Sequence, residues 1–313
     1  MDERIAKLNI MLIEEIKKFS DETNSKFYFD YDLKKSNWFN IGGKTKIYFK
    51  PESLANLVFF LKTFGSKVKI FTLGAGSNTL INDDIFDGIV IKLGKNFSNT
   101  SLLPNNIIVA GSACSDKKLS DFACDNEIGG LEFLSCIPGT VGGGLRMNAG
   151  CFNREFKDIL VSVQAIDRIG RVITIPANKI LFEYRNNDLP QDLIFLSASF
   201  KGEKKIKNTI EKKMKELKEA KDNAQPNKIK TSGSTFKNPI NQTKKKVWEL
   251  IRDSVPLDTS FGDASISEKH CNFFVNNNNA SFNDMKKLID FVADSVEKKT
   301  GIKLEKEIKI LES

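Results

Sequence analysis

The sequence predicts an α+β protein built from two domains. Short segments with strand character are crowded between residues 67 and 200, and helical segments interrupt and flank them. After about residue 202 the pattern changes to a long lysine- and glutamate-rich helix followed by a polar stretch, which predicts a domain boundary there. A chain of 313 residues is long enough for two domains with a large buried core.

Apolar periodicity and capping residues define the predicted helices. The first helix, over residues 3–19, is indicated by apolar residues at helical spacing: Ile5, Leu8, Leu12 and Ile16. The last helix, over residues 282–299, begins with a capping box of Ser281 and Asp284 and ends at Gly301. Pro51 suits the first turn of a helix over residues 51–64. The other predicted helices span residues 116–126, 177–183, 203–222 and 244–253.

The strands are predicted from β-branched and aromatic runs between turn residues. The sequence DRIG at residues 167–170 predicts a hairpin turn. The closing run IKLEKEIKIL predicts a strand with apolar residues on one face and Glu305, Glu307 and Lys309 on the other. The remaining predicted strands span residues 67–73, 88–93, 106–110, 159–166, 171–175, 193–200 and 272–275.

Composition excludes several classes of protein. No apolar run approaches the roughly 20 residues that cross a bilayer, and no cleavable apolar leader follows the charged N-terminus, so no membrane association and a cytoplasmic location are expected. The five cysteines form no C-x-x-C pair, which argues against a disulfide framework and a zinc site. The single histidine, His270, excludes a multi-histidine metal site, so no metal is predicted, and a hydrogen-bonded, buried ring is expected there.

The net charge of +8 is compatible with nucleic acid, with an anionic small substrate, or with a lysine-rich composition alone. The lysines alternate with glutamates along a predicted helix whose apolar residues keep helical spacing. That pattern is typical of a solvated helix face, so nucleic-acid binding is not favoured.

The loop GAGSNT at residues 74–79 follows a predicted strand and suggests a phosphate cradle. It is not a dinucleotide fingerprint, because Thr79 stands where the third glycine would be and the next residues predict a turn and a strand rather than a helix. Successive backbone N–H groups, with the Ser77 and Asn78 side chains, can still bind phosphate. Taken alone, the loop favours a tight turn between strands.

A second glycine-rich segment, IPGTVGGGLRMNAG at residues 137–150, changes that balance. Its three consecutive glycines lack β-carbons, so a flat or anionic group can approach the backbone. A flexible loop rarely interleaves apolar residues as this segment does. Two such loops in one half of the chain suggest a large cofactor with a diphosphate and an aromatic ring system, which flavin adenine dinucleotide (FAD) fits better than a mononucleotide.

Five motifs in series resemble one family. LGAGSNTLINDD, GLEFLSCIPGTVGGGLRMNAG, GSTFKNP, SEKHCNFFVN and LEKEIKI occur in this order, and the resemblance runs from about residue 37 to residue 310. Together they resemble the UDP-N-acetylenolpyruvoylglucosamine reductases, in the shorter subtype that lacks an extra tyrosine-bearing loop. The resemblance implies a vanillyl-alcohol-oxidase/PCMH-type FAD-binding fold of two α/β subdomains with a C-terminal α+β substrate-binding domain. The implied domains are residues 1–36 (helix and linker), 37–202 (FAD-binding) and 203–313 (substrate-binding).

The resemblance also implies the ligands and the reaction. NADPH reduces a non-covalently bound FAD, and UDP-N-acetylglucosamine enolpyruvate then takes a hydride at C3 and a proton at C2 to give UDP-N-acetylmuramate, a peptidoglycan precursor. The chain is expected to be a monomer. The implied FAD-binding residues are Ile41, Gly42, Gly74, Ala75, Gly76, Ser77, Asn78, Thr79, Ile137, Pro138, Gly139, Thr140, Gly142, Gly143, Asn148, Ala149 and Gly150.

Three residues match the family's catalytic positions. Arg185 matches the carboxylate-binding arginine, whose guanidinium can clamp a carboxylate with two parallel hydrogen bonds. Ser234, after Gly233, matches the proton donor to C2. Glu307 matches the C-terminal glutamate, although the strand pattern alone does not distinguish it from Glu305. Without the resemblance these residues would read as a surface arginine, a turn serine and a solvated strand face.

Four further residues are implied to contact the substrate: Tyr184, Lys237, Asn238 and Lys309. Lysine offers a point charge to the diphosphate of UDP. Three departures from the family pattern stand out. Lys309 replaces a frequent arginine and loses a bidentate contact, Lys306 replaces a usual proline, and Trp38 replaces a common threonine.

Two alternatives remain open from the sequence. A flavoprotein of the same fold that oxidises a different alcohol would often tether its flavin to a histidine or a cysteine. The FAD half of the chain has no histidine but contains Cys114, Cys136 and Cys151. A catalytically inactive UDP-sugar-binding module is the second alternative, and the presence of Arg185 and Ser234 together with Glu307 argues against it.

Overall fold

The computed structural model describes residues 10–23 and 25–313, which combine helices and sheets. The helices are α1 (Ile10–Thr23), α2 (Leu54–Phe64), α3 (Asp116–Asp125), α4 (Val141–Arg146), α5 (Lys207–Ala224), α6 (Val247–Ser254) and α7 (Phe282–Thr300). The strands are β1 (Lys26–Asp32), β2 (Lys44–Lys50), β3 (Ile70–Thr72), β4 (Thr79–Ile81), β5 (Phe86–Ile91), β6 (Thr100–Leu103), β7 (Ile107–Gly111), β8 (Ile128–Gly129), β9 (Gly150–Cys151), β10 (Arg154–Glu155), β11 (Leu160–Ile166), β12 (Val172–Pro176), β13 (Phe182–Glu183), β14 (Asn186–Asn187), β15 (Ile194–Lys201), β16 (Glu203–Lys204), β17 (Ser260–Phe261), β18 (Ala264–Ile266), β19 (Phe274–Asn276) and β20 (Lys309–Leu311).

The chain divides into two compact units, each assembled from separated stretches. The first unit comprises the described part of Met1–Tyr31 with Lys46–Ala75 and Asp87–Ala220. The second unit comprises Asp32–Thr45, Gly76–Phe86 and Lys221–Ser313. The last division therefore falls later than the change of composition near residue 202. The functional domains drawn from the sequence, residues 1–36, 37–202 and 203–313, stay a prediction.

A four-stranded sheet with the order β1-β2-β5-β3 lies in the first unit, and α1 and α2 share an apolar cluster with it. Leu12 and Ile16 are buried as the periodicity predicts, whereas Ile5 and Leu8 lie outside the described residues. Helix α2 begins later than predicted. Ser53 caps it by accepting a hydrogen bond from the Asn56 N–H, so Pro51 precedes the helix instead of entering its first turn.

The first unit also contains a five-stranded antiparallel sheet with the order β12-β11-β15-β7-β6. The predicted DRIG turn is confirmed. Strands β11 and β12 pair on either side of it, and the Gly170 N–H donates to the Asp167 carbonyl at 3.1 Å. Helices α3 and α4 contribute Leu119, Val141 and Leu145 to the apolar core of this sheet. This packing fixes the position of the segment 137–150.

The helix predicted over residues 177–183 is wrong. Only a 3₁₀ turn forms at Ala177–Lys179, and β13 then pairs with β14 in a hairpin. Seven residues are too few to offset the cost of nucleating a helix. The pairing of Phe182 with Asn187 and of Glu183 with Asn186 supplies backbone hydrogen bonds instead.

The second unit contains a three-stranded sheet, β17-β18-β19, whose core it shares with α6 and α7. The predicted capping box of α7 is confirmed. The Ser281 hydroxyl accepts from the Asp284 N–H at 3.1 Å, and the Asp284 carboxylate accepts from the Ser281 N–H at 3.0 Å. The helix ends at Gly301, whose φ of 73° is left-handed, as predicted for a C-terminal glycine.

The predicted terminal strand over residues 302–311 is too long. Only β20 forms, pairing in parallel with β4. Upstream of it, the Lys237 N–H donates to the Glu305 carbonyl and the Glu307 N–H donates to the Thr235 carbonyl, each at 2.8 Å. The segment before β20 therefore pairs with an irregular stretch rather than with a strand, and no continuous ladder forms before Lys309.

Candidate active site

The GAGSNT loop joins β3 to β4 without a helix, as the sequence predicts. The division between the two units falls inside it, after Ala75. Within the described residues, the N–H groups of Gly74, Ala75 and Gly76 donate no hydrogen bond. Gly76 has φ 69°, and a β-carbon there would lie 2.3 Å from the Ser36 carbonyl oxygen, so only glycine fits. Successive N–H groups without an acceptor suit an anion such as a diphosphate.

The glycine triplet of the second segment forms a short helix, α4, and not the loop that the sequence suggested. Thr140 caps this helix, and the Gly142 N–H donates to the Ser112 carbonyl at 2.9 Å. A β-carbon on Gly144 would lie 2.4 Å from the ring of Phe156, so packing requires that glycine. Gly143 is exposed, and a β-carbon there would meet only the Thr140 hydroxyl at 3.5 Å. Of the three glycines, Gly143 therefore leaves the backbone most approachable.

The end of the same segment is tied to neighbouring strands. Asn148 is fully buried, and its side-chain amide donates to Glu155 at 3.1 Å and to the Glu183 carbonyl at 2.9 Å. The Gly150 carbonyl accepts from Arg185 at 2.7 Å. The structure thus connects these two predicted FAD residues to the hairpin that carries Arg185. The other predicted FAD residues of this segment are partly buried, apart from the exposed Pro138: Ile137, Gly139, Thr140, Gly142 and Ala149.

Arg185 lies at the tip of the β13–β14 hairpin with a left-handed φ of 57°. Its side chain is only 16% exposed and forms an ion pair with Glu155, with 3.5 Å between Nη1 and Oε1. The guanidinium carbon lies 4.9 Å from the centroid of the Tyr184 ring. A carbonyl, a carboxylate and an aromatic ring therefore orient this charge. This hairpin was predicted as a helix end, so its geometry was not anticipated.

In the second unit, Gly42 has φ 144°, and a β-carbon there would approach Ile81 to 2.9 Å. The Ile41 side chain is 1% exposed and lies in the apolar core, while its carbonyl accepts from the Asn37 amide at 2.7 Å. Thr79 is buried and paired in β4 with Lys309. These positions give Ile41 and Thr79 roles in the core and the sheet. Ser77 and Asn78 are partly buried in the loop.

Ser234 and Glu307 come from two stretches that pair with each other. Gly233 has φ 77°, the relaxed backbone that the sequence predicts before Ser234. Ser234 forms an isolated antiparallel β-bridge with Phe273. The carbonyl of the next residue, Thr235, accepts a hydrogen bond from the Glu307 N–H. The Asn78 amide donates to the Glu307 carbonyl at 3.0 Å. Within the second unit, the structure therefore brings a loop residue predicted to bind FAD into contact with the segment that carries Glu307.

The two glutamates that the strand pattern left equivalent differ in the structure. The Glu305 side chain is 72% exposed and forms an ion pair with Lys237, whereas Glu307 is partly buried. Asn238 accepts a hydrogen bond from the Val247 N–H at 3.0 Å, at the start of α6. Lys309 is exposed in β20. Lys237 thus forms an ion pair with a carboxylate. Asn238, which is predicted to contact UDP, also accepts a hydrogen bond at the start of α6.

His270, Cys114, Cys136 and Cys151 are buried or partly buried. His270 is partly buried, its Nδ1 accepts from the Asn272 N–H at 3.2 Å, and burial lowers its pKa, which confirms the predicted hydrogen-bonded ring. Burial raises the pKa of Cys114 to about 11, so its thiol is a poor nucleophile. Cys136 is buried, and the Cys151 thiol donates to the Phe133 carbonyl at 3.3 Å. These environments favour non-covalent over cysteine-tethered FAD.

Across residues 10–23 and 25–313, no helix combines the length and the apolar character needed to span a bilayer. The same residues contain no group of three or more His, Cys, Asp or Glu side chains that could hold a metal ion.

One partly buried and one fully buried carboxylate were not singled out from the sequence. Glu155 contacts Arg185, and no periodicity or motif marks it. Asp116 is fully buried at the start of α3, neither of its carboxylate oxygens has a hydrogen-bond partner, and burial raises its pKa well above the usual range. Its position after the capping residue Ser115 is visible in the sequence, but its burial is not.

Residues 45–176 match the family model of the FAD binding domain, and residues 225–311 match that of the C-terminal domain of UDP-N-acetylenolpyruvoylglucosamine reductase. The crystal structure of the UDP-N-acetylenolpyruvylglucosamine reductase from Thermus caldophilus superposes with a TM-score of 0.78 at 27% identity, covering 92% of this chain and 99% of that one. The protein is therefore an FAD-containing oxidoreductase with the vanillyl-alcohol-oxidase/PCMH-type FAD-binding fold and a C-terminal domain.

Sequence relatives define the family. The chain is 74% identical over 301 residues to the UDP-N-acetylenolpyruvoylglucosamine reductase of Pelagibacter ubique, covering 96% of this chain and all of that protein. It is 46% identical to that of Rickettsia conorii, covering 90% of this chain and 94% of the relative. The chain belongs to the UDP-N-acetylenolpyruvoylglucosamine reductase family, and it is an enzyme of peptidoglycan precursor synthesis.

Proposed function

We propose that the protein reduces UDP-N-acetylglucosamine enolpyruvate to UDP-N-acetylmuramate with NADPH as the reductant. The main support for this proposal is the orientation of the Arg185 guanidinium. The Arg185 side chain is 16% exposed, forms an ion pair with Glu155 and donates a hydrogen bond to the Gly150 carbonyl. A buried, oriented arginine is suited to a planar carboxylate such as that of the enolpyruvyl group. The membership of the family supports the same substrate.

FAD, when bound, accepts a hydride from NADPH and supplies one to the vinyl C3 of the substrate. We infer that the GAGSNT loop and the segment 137–150 hold it. The N–H groups of Gly74, Ala75 and Gly76 suit its diphosphate, and the exposed backbone at Gly143 suits its flat ring. The functional division into residues 37–202 for FAD and 203–313 for the substrate, a monomeric chain and a cytoplasmic location are part of the same proposal.

The residues of this chain stabilise charge and deliver a proton. Hydride addition at C3 pushes negative charge through C2 into the carboxylate, which Arg185 stabilises by remaining cationic as the charge develops. The Ser234 hydroxyl donates a proton to C2, which requires close placement because serine is a weak acid. The carboxyl group of Glu307, when it carries a proton, donates a hydrogen bond to the enolate oxygen.

The remaining substrate contacts are assigned by charge and position. Lys237 faces the diphosphate of UDP, which has to compete with Glu305 for the ammonium group. Asn238 and Tyr184 line the binding site, and Lys309 contributes a single point charge where an arginine would offer two parallel hydrogen bonds.

Rapid mixing of the FAD-loaded protein tests this assignment by following the flavin spectrum, first with NADPH and then with the enolpyruvyl sugar. Ser234→Ala is expected to leave reduction by NADPH unchanged and to slow reoxidation by the sugar by roughly 10² to 10⁴-fold, the usual contribution of a positioned proton donor. Ser232→Ala is the matched control, because its buried hydroxyl lies two residues away and donates to the Thr79 carbonyl. Equal losses in both half-reactions would exclude Ser234 as the donor.

Steady NADPH consumption that requires the enolpyruvyl sugar separates this enzyme from an inactive UDP-sugar-binding module. It also separates it from an oxidase of the same fold. Release of the yellow cofactor on denaturation is expected, since we propose that FAD is not covalently attached.

A further inference from the structure

Glu155 is the carboxylate that contacts Arg185. It ends the short strand β10, its side chain is 17% exposed, and its Oε1 lies 3.5 Å from Nη1 of the arginine. Both partners are thus largely removed from solvent. An ion pair in such a position is screened much less than one on the surface.

Glu155 is itself rigidly held. Its Oε2 accepts from the amide of the fully buried Asn148 at 3.1 Å and pairs with the Lys157 ammonium at 2.8 Å. Its side chain also accepts from the Asp158 N–H, while the Asp158 carboxylate accepts from the Glu155 N–H at 2.8 Å. A flexible arginine side chain that contacts such a fixed group loses most of its alternative orientations before a substrate arrives.

The charges around Glu155 leave the cluster with a net positive charge, so Arg185 can attract an anionic ligand. Lys157, Arg185 and Arg154 carry three positive charges, whereas Glu155 and Asp158, which pairs with Arg154, carry two negative charges. The hydrogen bond that the Lys157 ammonium donates to Glu155 raises the pKa of Lys157, so its ammonium stays charged. Since Lys157 lies closer to the carboxylate than Arg185 does, Glu155 can orient the guanidinium without neutralising it.

We propose that Glu155 is a positioning residue that orients the Arg185 guanidinium for the carboxylate of the substrate. The inference rests on the proposed function, because it needs Arg185 to bind that carboxylate. In this proposal Glu155 acts through Arg185 and is assigned no contact of its own with the substrate.

The first test measures the two half-reactions of FAD-loaded Glu155→Gln and Glu155→Ala. Flavin reduction by NADPH, measured on the same FAD-loaded protein, reports any effect that reaches the flavin through Asn148. Relative to that half-reaction, reoxidation by the enolpyruvyl sugar should fall by about 100-fold in the alanine variant, the usual effect of a misplaced catalytic group. The glutamine variant keeps a hydrogen-bond acceptor and should recover a large part of that loss. Glu183→Gln is the matched control. Glu183 lies in the β13–β14 hairpin that carries Arg185, but its carboxylate accepts a hydrogen bond from Asn186. An effect of Glu155→Gln no larger than that of the control would overturn the proposal.

The second test is a double-mutant cycle with Arg185→Ala, measured as the rate of flavin reoxidation by the sugar. If Glu155 acts through Arg185, Glu155→Gln should cause no further loss once the arginine is absent. Additive losses would overturn the positioning role, even if the alanine variant of Glu155 does not fold. If Arg185→Ala alone leaves reoxidation unchanged, the proposed role of Arg185 fails, and this outcome is distinguishable from a failure of Glu155 alone.

Discussion

The three glycines of α4 should respond differently to alanine, because their surroundings differ. A β-carbon on Gly144 would lie 2.4 Å from the Cε2 and Cζ atoms of Phe156, a fully buried ring that packs edge-to-face on Phe200. Since that ring is fully buried, Gly144→Ala should destabilise the FAD-stripped protein by about 1 to 3 kcal/mol, the usual cost of overpacking. A β-carbon on Gly143 would meet only the Thr140 hydroxyl at 3.5 Å. Gly143→Ala should therefore stabilise the stripped protein by up to about 1 kcal/mol, through helix propensity alone.

The two variants separate a packing role from a cofactor role. Denaturant unfolding of the FAD-stripped proteins gives the stabilities, and FAD titration by fluorescence gives the affinities. If the flavin approaches Gly143, an added methyl group costs about 1 to 3 kcal/mol on binding, which corresponds to a roughly 5- to 150-fold weaker FAD affinity. A Gly144→Ala variant as stable as wild type would refute the steric reasoning. An unchanged FAD affinity of Gly143→Ala would refute the predicted contact.

Three further outcomes follow from the structure. Burial raises the pKa of Asp116 in the folded state above its unfolded value, so its stabilising contribution is present at acid pH and is lost as pH rises through the folded pKa. Between the unfolded and the folded pKa of Asp116, the stability of Asp116→Asn relative to wild type should therefore increase by about 1.4 kcal/mol per pH unit. A pH-independent difference in urea unfolding would contradict this. Glu305→Gln removes the exposed partner of the largely buried Lys237 and should tighten UDP binding by a factor of about 1.4 to 5, as expected for a pair with an exposed carboxylate that is worth about 0.2 to 1 kcal/mol. Weaker binding by calorimetry would show that Glu305 assists the lysine. Gly301→Ala should cost about 1 to 2 kcal/mol in thermal unfolding from its left-handed φ alone, because a β-carbon there meets no atom within 4 Å, and a neutral effect would contradict that origin.

Elements with local signals were predicted well. The capping box at Ser281 and the left-handed C-terminal glycine at Gly301 depend on residues within one turn of the helix, so the sequence contains all the information. The same holds for the DRIG turn between β11 and β12. The family resemblance, which depends on ordered motifs rather than on contacts, was confirmed by the relatives.

Elements whose hydrogen-bond partners lie far along the chain were predicted poorly. The terminal strand was drawn too long because residues 305–307 pair with the irregular stretch near Thr235, and periodicity cannot reveal what a segment pairs with. The helix over residues 177–183 failed because a hairpin closed by Asn186 and Asn187 supplied competing hydrogen bonds. The glycine triplet became a helix, since Thr140 caps it and its first N–H groups donate to carbonyls near residue 112.

The sequence by itself determined the family, the capping of the last helix and the DRIG turn, and the residue types able to carry the chemistry. Those properties reside in local spacing and in motifs. Only the tertiary structure decided which glycine serves packing and which leaves its backbone open, which of two neighbouring glutamates pairs with Lys237, and which carboxylate contacts Arg185. Each of these depends on burial and on distances between residues remote in the chain, because steric contact and electrostatic screening act through space.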